Sequence, residues 1–508
     1  MAATGILLGI FVTRHPMANL FLVALLALTA GSGCVGTSAW DRRVGAEVAR
    51  EVEVSMGLLA DPDLTTYVSR VGHRLVNEIE ATDFVYRFEV VDQRAPNAFA
   101  LPGGYVYITR GMLATTNSED ELANVIAHEI GHVEARHAAE RYQAATLPAL
   151  ATLPGALVGV VHKDLGDLIA SPFEHVGMAF LASYSRDQER AADQLGQRLA
   201  ARAGYDPHGL STSLRVIDQY QKLTSRPADI PSHLQTHPET GPRADETARF
   251  AAKIHWQPRP GITRDHAHYL RKLDALIVGP NPARGLFRGR TFYHPDLGIT
   301  MTMPARWVPV KGQGAVGAIA PTYDAMLIAT TPSTGNDPSS AAKAFLNVLQ
   351  QQIQIEVTEA GSRTINGLNA YGVRSIAGPP DRAINFELLW ITHNDLLYQF
   401  IGVASHQTKR HHLQEIQDSQ ASFRPISTRE RNSFRVQRLR IVKALSGESM
   451  KQLKERFDVS GPLHWLTAIN GINRNTEMVE GQLVKIVSEE TYRPATPNGV
   501  VAKPGNSL

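Results

Sequence analysis

Residues 128–132 read His-Glu-Ile-Gly-His, inside a run from 119 to 141 with the composition of a helix. On a helix, His128 and His132 stand four residues apart and project from one face. That spacing suits two nitrogen ligands of one tetrahedral Zn²⁺. Glu129 then lies beside the metal's open position, where it can take a proton from an attacking water. Two histidines and a glutamate are the minimum apparatus for metal-assisted hydrolysis of a peptide bond. The competing reading is a helix whose histidines are satisfied core or surface groups, because a five-residue pattern also arises by chance.

The elements that must carry these residues are visible around them. Residues 119–127, Glu-Asp-Glu-Leu-Ala-Asn-Val-Ile-Ala, place acids in a first turn and apolar residues at helical spacing, with Asn117 or Ser118 as N-cap. A catalytic zinc needs a third protein ligand. One class takes it from a histidine six residues after His132, with a glycine three after it. Those positions are Ala138 and Ala135, so that class is excluded. The alternative is a carboxylate from a later helix. Residues 185–193, Ser-Arg-Asp-Gln-Glu-Arg-Ala-Ala-Asp, offer Glu189 and Asp193 one turn apart on one face. Glu189 would bind the metal while Asp193 accepts the second N–H of a ligand histidine and fixes its tautomer. By spacing alone, an ordinary solvated charged helix would look the same.

Several blocks together resemble the HtpX-like and BepA-like zinc metallopeptidases, the gluzincin family that also holds the CAAX prenyl proteases. The blocks are Asn-Ala-Phe-Ala-Leu-Pro-Gly-Gly-Tyr-Val-Tyr-Ile-Thr-Arg-Gly-Met-Leu at 97–113 and Ala-His-Glu-Ile-Gly-His-Val-Glu-Ala-Arg-His at 127–137. Tyr-Ser-Arg-Asp-Gln-Glu-Arg-Ala-Ala-Asp at 184–193 and Ala-Gly-Tyr-Asp-Pro at 203–207 complete them. The resemblance spans about residues 44–207 and implies an α+β chain led by a mostly helical peptidase domain with a small sheet, over 38–280. It implies His128, His132 and Glu189 as ligands of one Zn²⁺ per chain, Glu129 as base and Asp193 behind a ligand histidine. The family usually carries a second glutamate where this chain has Ala191, a position that is neither ligand nor base.

Substrate contacts follow from the same resemblance. Leu-Pro-Gly-Gly at 101–104 breaks the chain, and Tyr-Val-Tyr-Ile at 105–108 reads as a short strand. In such peptidases an edge strand near the metal pairs with the extended substrate. Gly103, Gly104, Tyr105 and Val106 are therefore assigned to substrate binding; the other reading is a hairpin strand in the core sheet, and the two are compatible. Residues 236–243, Thr-His-Pro-Glu-Thr-Gly-Pro-Arg, resemble the family's His-Pro block. His237 would donate to the oxyanion of the tetrahedral intermediate or bind zinc as a gating fourth ligand. Its alternative is a loop histidine capping a helix that starts near Pro242. Arg243 would orient the site or the substrate. His233, His266 and His268 read as surface residues.

The N-terminus speaks to compartment. Arg14 precedes an apolar run at 20–28, then small residues at 29–33, then Cys34, the only cysteine in 508 residues. A lone cysteine makes no internal disulfide. The arrangement resembles a bacterial lipoprotein cleavage site, with 1–33 as signal peptide and Cys34 lipidated. The absence of Asp after Cys34 suggests outer-membrane sorting, hence a periplasmic protein held by a lipid anchor. Ordinary signal cleavage and an uncleaved anchor are the alternatives, and translation starting at Met17 is also open. A net charge of +2 gives no bias toward nucleic acid. The apolar stretch 144–161 contains Pro148 and Pro154 and reads as active-site wall or lid rather than a spanning helix.

Beyond a linker at 280–285, residues 286–428 alternate strand-like runs with one helix and read as a small α+β accessory domain for substrate or partner binding. It resembles PsbP/Mog-like sheets with helices on one face. Residues 436–488 resemble a divergent LysM domain, a βααβ module, which implies peptidoglycan as a partner. The Pro/Gly-rich stretch 489–508 reads as a disordered tail. Two function classes follow. One is a zinc endopeptidase of the cell envelope acting on misfolded or misassembled envelope proteins. The other is a non-proteolytic, chaperone-like or peptidoglycan-binding scaffold that keeps the zinc fold. Cleavage of the wall itself is a third, weaker idea.

Overall fold

The computed structural model describes residues 37–140, 183–223, 236–311, 315–330, 332–379, 383–406 and 409–494. The expected leader with Cys34, the apolar stretch 144–161, His233 and the residues after 494 lie outside the described residues. Helix α1 (Ser38–Met56) is capped by Thr37, and α2 (Pro62–Val76) by Asp61 with proline at its first position. Strands β1 (Arg87–Val91), β2 (Ala98–Leu101) and β3 (Tyr105–Thr109) form a three-stranded sheet in the order β1-β3-β2. Helices α3 (Arg110–Thr115), α4 (Glu119–Glu134), α5 (Arg186–Arg202), α6 (Gly209–Leu223), α7 (Thr240–Ala251) and α8 (His266–Lys272) follow.

Helix α4 forms where its acids and cap foretell it. The Ser118 hydroxyl accepts from the Glu121 N–H at 3.1 Å. Glu119, Asp120 and Glu121 complement the positive end of the helix. Glu119 is anchored in turn, accepting from the hydroxyls of Tyr67 at 2.6 Å and Tyr205 at 3.2 Å and from the Thr263 N–H at 3.0 Å. Leu122, Ile126 and Ile130 pack in one core with Val68, Leu75, Val106 and Tyr205. Each such side chain contributes roughly 1.5–3 kcal/mol by leaving water. The helix ends at Glu134, short of the expected 141, because Arg136 takes a left-handed conformation (φ 58°) before helix resumes at 137–140.

The accessory domain is a largely antiparallel sheet ordered Ile355–Ile365, Leu368–Ala377, Ile384–His393, Leu396–Ser405, Ala325–Thr330, Ala315–Ile319, Val308–Lys311. Along Ile384–His393, Phe386, Leu388 and Trp390 face the helix Pro338–Gln352, while Leu389 and Ile391 face the side of Ile416 on the helix Lys409–Ala421. The helices thus lie on opposite faces, which corrects the expectation of one helical face: both sides of the central strands are apolar and each needs a cover.

The C-terminal unit is a two-stranded sheet, β4 (Arg435–Lys443) with β5 (Leu483–Thr491), enclosing α9 (Met450–Arg456) and α10 (Leu463–Ile469). Strand β5 runs three residues into the stretch expected as tail. The unit is stitched to the peptidase. Ala275 N–H donates to Leu439 O at 2.9 Å and Val278 N–H to Gln437 O at 2.9 Å, so the segment leaving α8 adds to β4. Leu439 and Ile469 join the same core as α4. Lys485 is fully buried, its Nζ donating to Ala114 O at 2.8 Å and Thr116 O at 3.0 Å. The accessory domain is therefore an insertion between two parts of one packed body. Among the described residues no helix is long and apolar enough to cross a membrane.

Candidate metal centre

The centre is made where α4 crosses α5. A Cβ on Gly131 would sit 2.9 Å from Ala192 O, and one on Gly196 would sit 2.8 Å from the His128 nitrogen. Only glycine at both crossings lets the helices approach so closely. α5 starts in register because Ser185 and Gln188 form a reciprocal capping box. The crossing sets Glu189 and Asp193 against His128 and His132.

His128, His132, Glu189 and His237 are buried, and their ligand atoms all lie within 4.8 Å of one another. His128 Nε2 is 3.0 Å from His132 Nε2 and 3.3 Å from His237 Nδ1. Glu189 Oε1 is 3.4 Å from His132 Nε2 and 2.9 Å from His237 Nδ1. Three imidazoles and one carboxylate, turned inward with no apolar filling between them, are a donor set that fits a borderline cation such as Zn²⁺. Glu129 is fully buried beside them, with Oε1 3.5 Å from His237 Nε2. The cluster can thus hold a metal ion and present it to a carboxylate.

The surrounding charges fix the protonation of the donors. Burial drives the His132 imidazole well below its ordinary pKa, the state a ligand needs. Burial also opposes charge on His128, but the Asp193 carboxylate, 2.9 Å from Nδ1, outweighs it and leaves the pKa raised. For Glu189 burial favours the acid, yet His237 and Arg243 outweigh it and hold the carboxyl far below its usual range. Asp193 is lowered for the same kind of reason, by Arg243 and His128 against its burial.

Several assigned residues occupy other positions than expected. Tyr105 and Val106 lie on β3, which is the central strand, paired in parallel with Arg87 and Phe88 and antiparallel with Leu101 and Ala100. Their main chain is already used, so they are not the substrate-pairing edge. Gly103 and Gly104 form a buried left-handed turn wedged against Asp41 O and Val85 O. Among the described residues no strand pairs with the outer side of β2. That edge adjoins the centre, since Asn97 accepts at Oδ1 from Thr236 Oγ1 at 3.2 Å, one residue before His237. Arg243 lies against the carboxylates of the site, the site-orienting side of its two expected roles. It is 4 % exposed and donates to Asp193 from Nε at 2.9 Å and from a terminal nitrogen at 2.6 Å, and it pairs with Glu189. His237 does not cap α7, whose N-cap is Glu239 without a side-chain bond. His266 and His268 are exposed. Tyr184 had no assigned role, yet its ring stacks on His132 with centroids 3.7 Å apart. Its place directly before the Ser185 cap was the available signal.

Residues 62–249 match the model of Peptidase family M48. A beta-barrel assembly-enhancing protease of Escherichia coli K12 is 31% identical over 209 residues, 39% of this chain and 41% of that protein. The mitochondrial metalloendopeptidase OMA1 of Schizosaccharomyces pombe is 28% identical over 229 residues, 44% of this chain and 64% of that protein. The chain thus spans about two fifths of the length of the first of these relatives. The solution structure of cyanobacterial PsbP from Synechocystis sp. PCC 6803 aligns with 29% of this chain and 99% of its own. Its identity is 16% and its TM-score 0.23, too loose to carry an argument.

Proposed function

We propose that the chain is a zinc-dependent metalloendopeptidase of the bacterial cell envelope, acting on misfolded or misassembled envelope proteins. The observation that carries this reading is the convergence of His128, His132 and Glu189 beside a buried Glu129. One Zn²⁺ held there would supply a Lewis acid that polarises a carbonyl and makes water a nucleophile near neutral pH. Glu129 takes the proton of the attacking water and returns it to the leaving amine. Asp193, itself clamped by Arg243, holds the back of His128. The extended substrate pairs with the outer edge of β2, so recognition is largely main-chain.

His237 is the gate in this reading. As a fourth protein ligand it would fill the position that a catalytic zinc keeps open. Its withdrawal would free that position and leave its imidazole near the oxyanion. A permanently closed His237 is also what a non-proteolytic scaffold would keep, which makes that the second reading. A lipid on Cys34, residence at the outer membrane and peptidoglycan binding through a LysM-like 436–488 complete the proposal, with 286–428 as substrate or partner module. Cleavage of unfolded casein that stops with a chelator and returns with zinc tests the enzyme. Palmitate labelling lost in Cys34→Ser tests the anchor, and a pull-down on purified peptidoglycan tests the module.

A further inference from the structure

We infer that His137 is a positioning residue for the metal ligand His132, accepting the proton that fixes its tautomer. The inference rests on the metallopeptidase reading. His132 has its two ring nitrogens turned in opposite directions. Nε2 looks into the donor cluster, 3.0 Å from His128 Nε2. Nδ1 looks away and lies 2.9 Å from His137 Nδ1, the rings 5.0 Å apart at 70°. For Nε2 to offer its lone pair to a metal, the His132 proton must sit on Nδ1. A proton there needs an acceptor, and His137 Nδ1 is at hydrogen-bond distance. His137 then carries its own proton on Nε2.

The chain builds this contact in an unusual way. Helix α4 stops at Glu134, and Arg136 turns left-handed at φ 58°. A left-handed conformation is strained for a residue other than glycine. Arg136 is held by an ion pair to the buried Asp41 on α1 at 2.5 Å. The turn brings the next residue, His137, back over the helix end and buries it to 6 % exposure. It therefore meets the rear of the ligand rather than the metal, and it is outside the four-donor cluster. The two ligand histidines are thus backed differently. His128 has the carboxylate of Asp193, and His132 has an imidazole. Partners of this kind typically change metal affinity 10–100-fold when removed.

The test is zinc affinity of the full chain, measured by competition with a chelator, in three variants checked for folding by circular dichroism. In His137→Asn, Oδ1 takes the place of Nδ1 and can accept the same proton. His137→Leu fills the space without an acceptor. His137→Gln puts its oxygen one bond too far. The account predicts that Leu weakens zinc binding by about 10–100-fold, that Asn stays close to wild type, and that Gln falls below Asn. Should Leu fail to fold, the Asn-against-Gln order still decides. Wild-type affinity in Leu, or equal losses in Asn and Gln, overturns the role of His137 alone. A wild-type chain that binds no zinc overturns the metallopeptidase reading as well.

Discussion

Arg243 grips both oxygens of Asp193, at 2.9 and 2.6 Å, from a helix that contributes no metal ligand of its own. It also pairs with Glu189, so one guanidinium holds both buried carboxylates of α5 in place. Breaking such a buried pair by removing one partner costs about 3–5 kcal/mol. Arg243→Leu is expected to lower both the melting temperature and zinc affinity, because two buried carboxylates lose their counter-charge. A pure rise in KM with zinc retained would restore Arg243 to the substrate.

The outer edge of β2 makes a period-two prediction. Peptide substrates N-methylated at successive positions around the scissile bond should lose binding at alternate residues only. Each lost hydrogen bond is worth roughly 1 kcal/mol, or about fivefold in KM. Uniform tolerance at every position would dismiss main-chain pairing.

His237→Ala separates gate from donor. As a gating ligand, its removal should weaken zinc binding yet raise basal cleavage of unfolded casein. An oxyanion donor instead predicts a fall in kcat of about 10²–10³ with zinc unchanged.

Lys485 ties the C-terminal unit to the end of α3, and this makes stability depend on pH. Burial pushes its amine down from 10.5 to about 7, with Glu121 offsetting part of that. Below pH 7 folded and unfolded chains both carry the proton, and folding bears the full desolvation. Between about 7 and 10.5 the unfolded chain holds more protons, so this group makes stability rise with pH. Lys485→Met also leaves two carbonyls unpaired, a loss of about 1–3 kcal/mol. The melting temperature of wild type relative to the variant should rise as pH rises through that window. A gap that stays constant would remove Lys485 from the account.

What the sequence disclosed was local, and what it hid was tertiary. His128, Glu129 and His132 follow from one helical turn, and Ser118 from the cap chemistry before it. Glu189 and Asp193 lie some 60 residues on. Spacing alone left them equal to a surface helix, and only the glycine crossing of α4 and α5 sets them at the histidines. Tyr105 and Val106 read as a strand, and they are one. Whether that strand is central depends on Arg87–Val91 pairing with its other side, which no local pattern encodes. His137 was passed over because arginine rarely turns left-handed, so nothing marked Arg136 as a reversal. Lys485 is buried against the peptidase, a placement that no local pattern around a lysine in a strand announces.

The most direct measurement pairs zinc content with casein cleavage in wild type and Glu129→Gln. The account predicts about one zinc per chain in both proteins. Cleavage should occur in wild type and be abolished in the variant, because Glu129 supplies the base and no metal ligand. A variant that cleaves as fast as wild type, or a wild-type chain that holds no zinc, would contradict it.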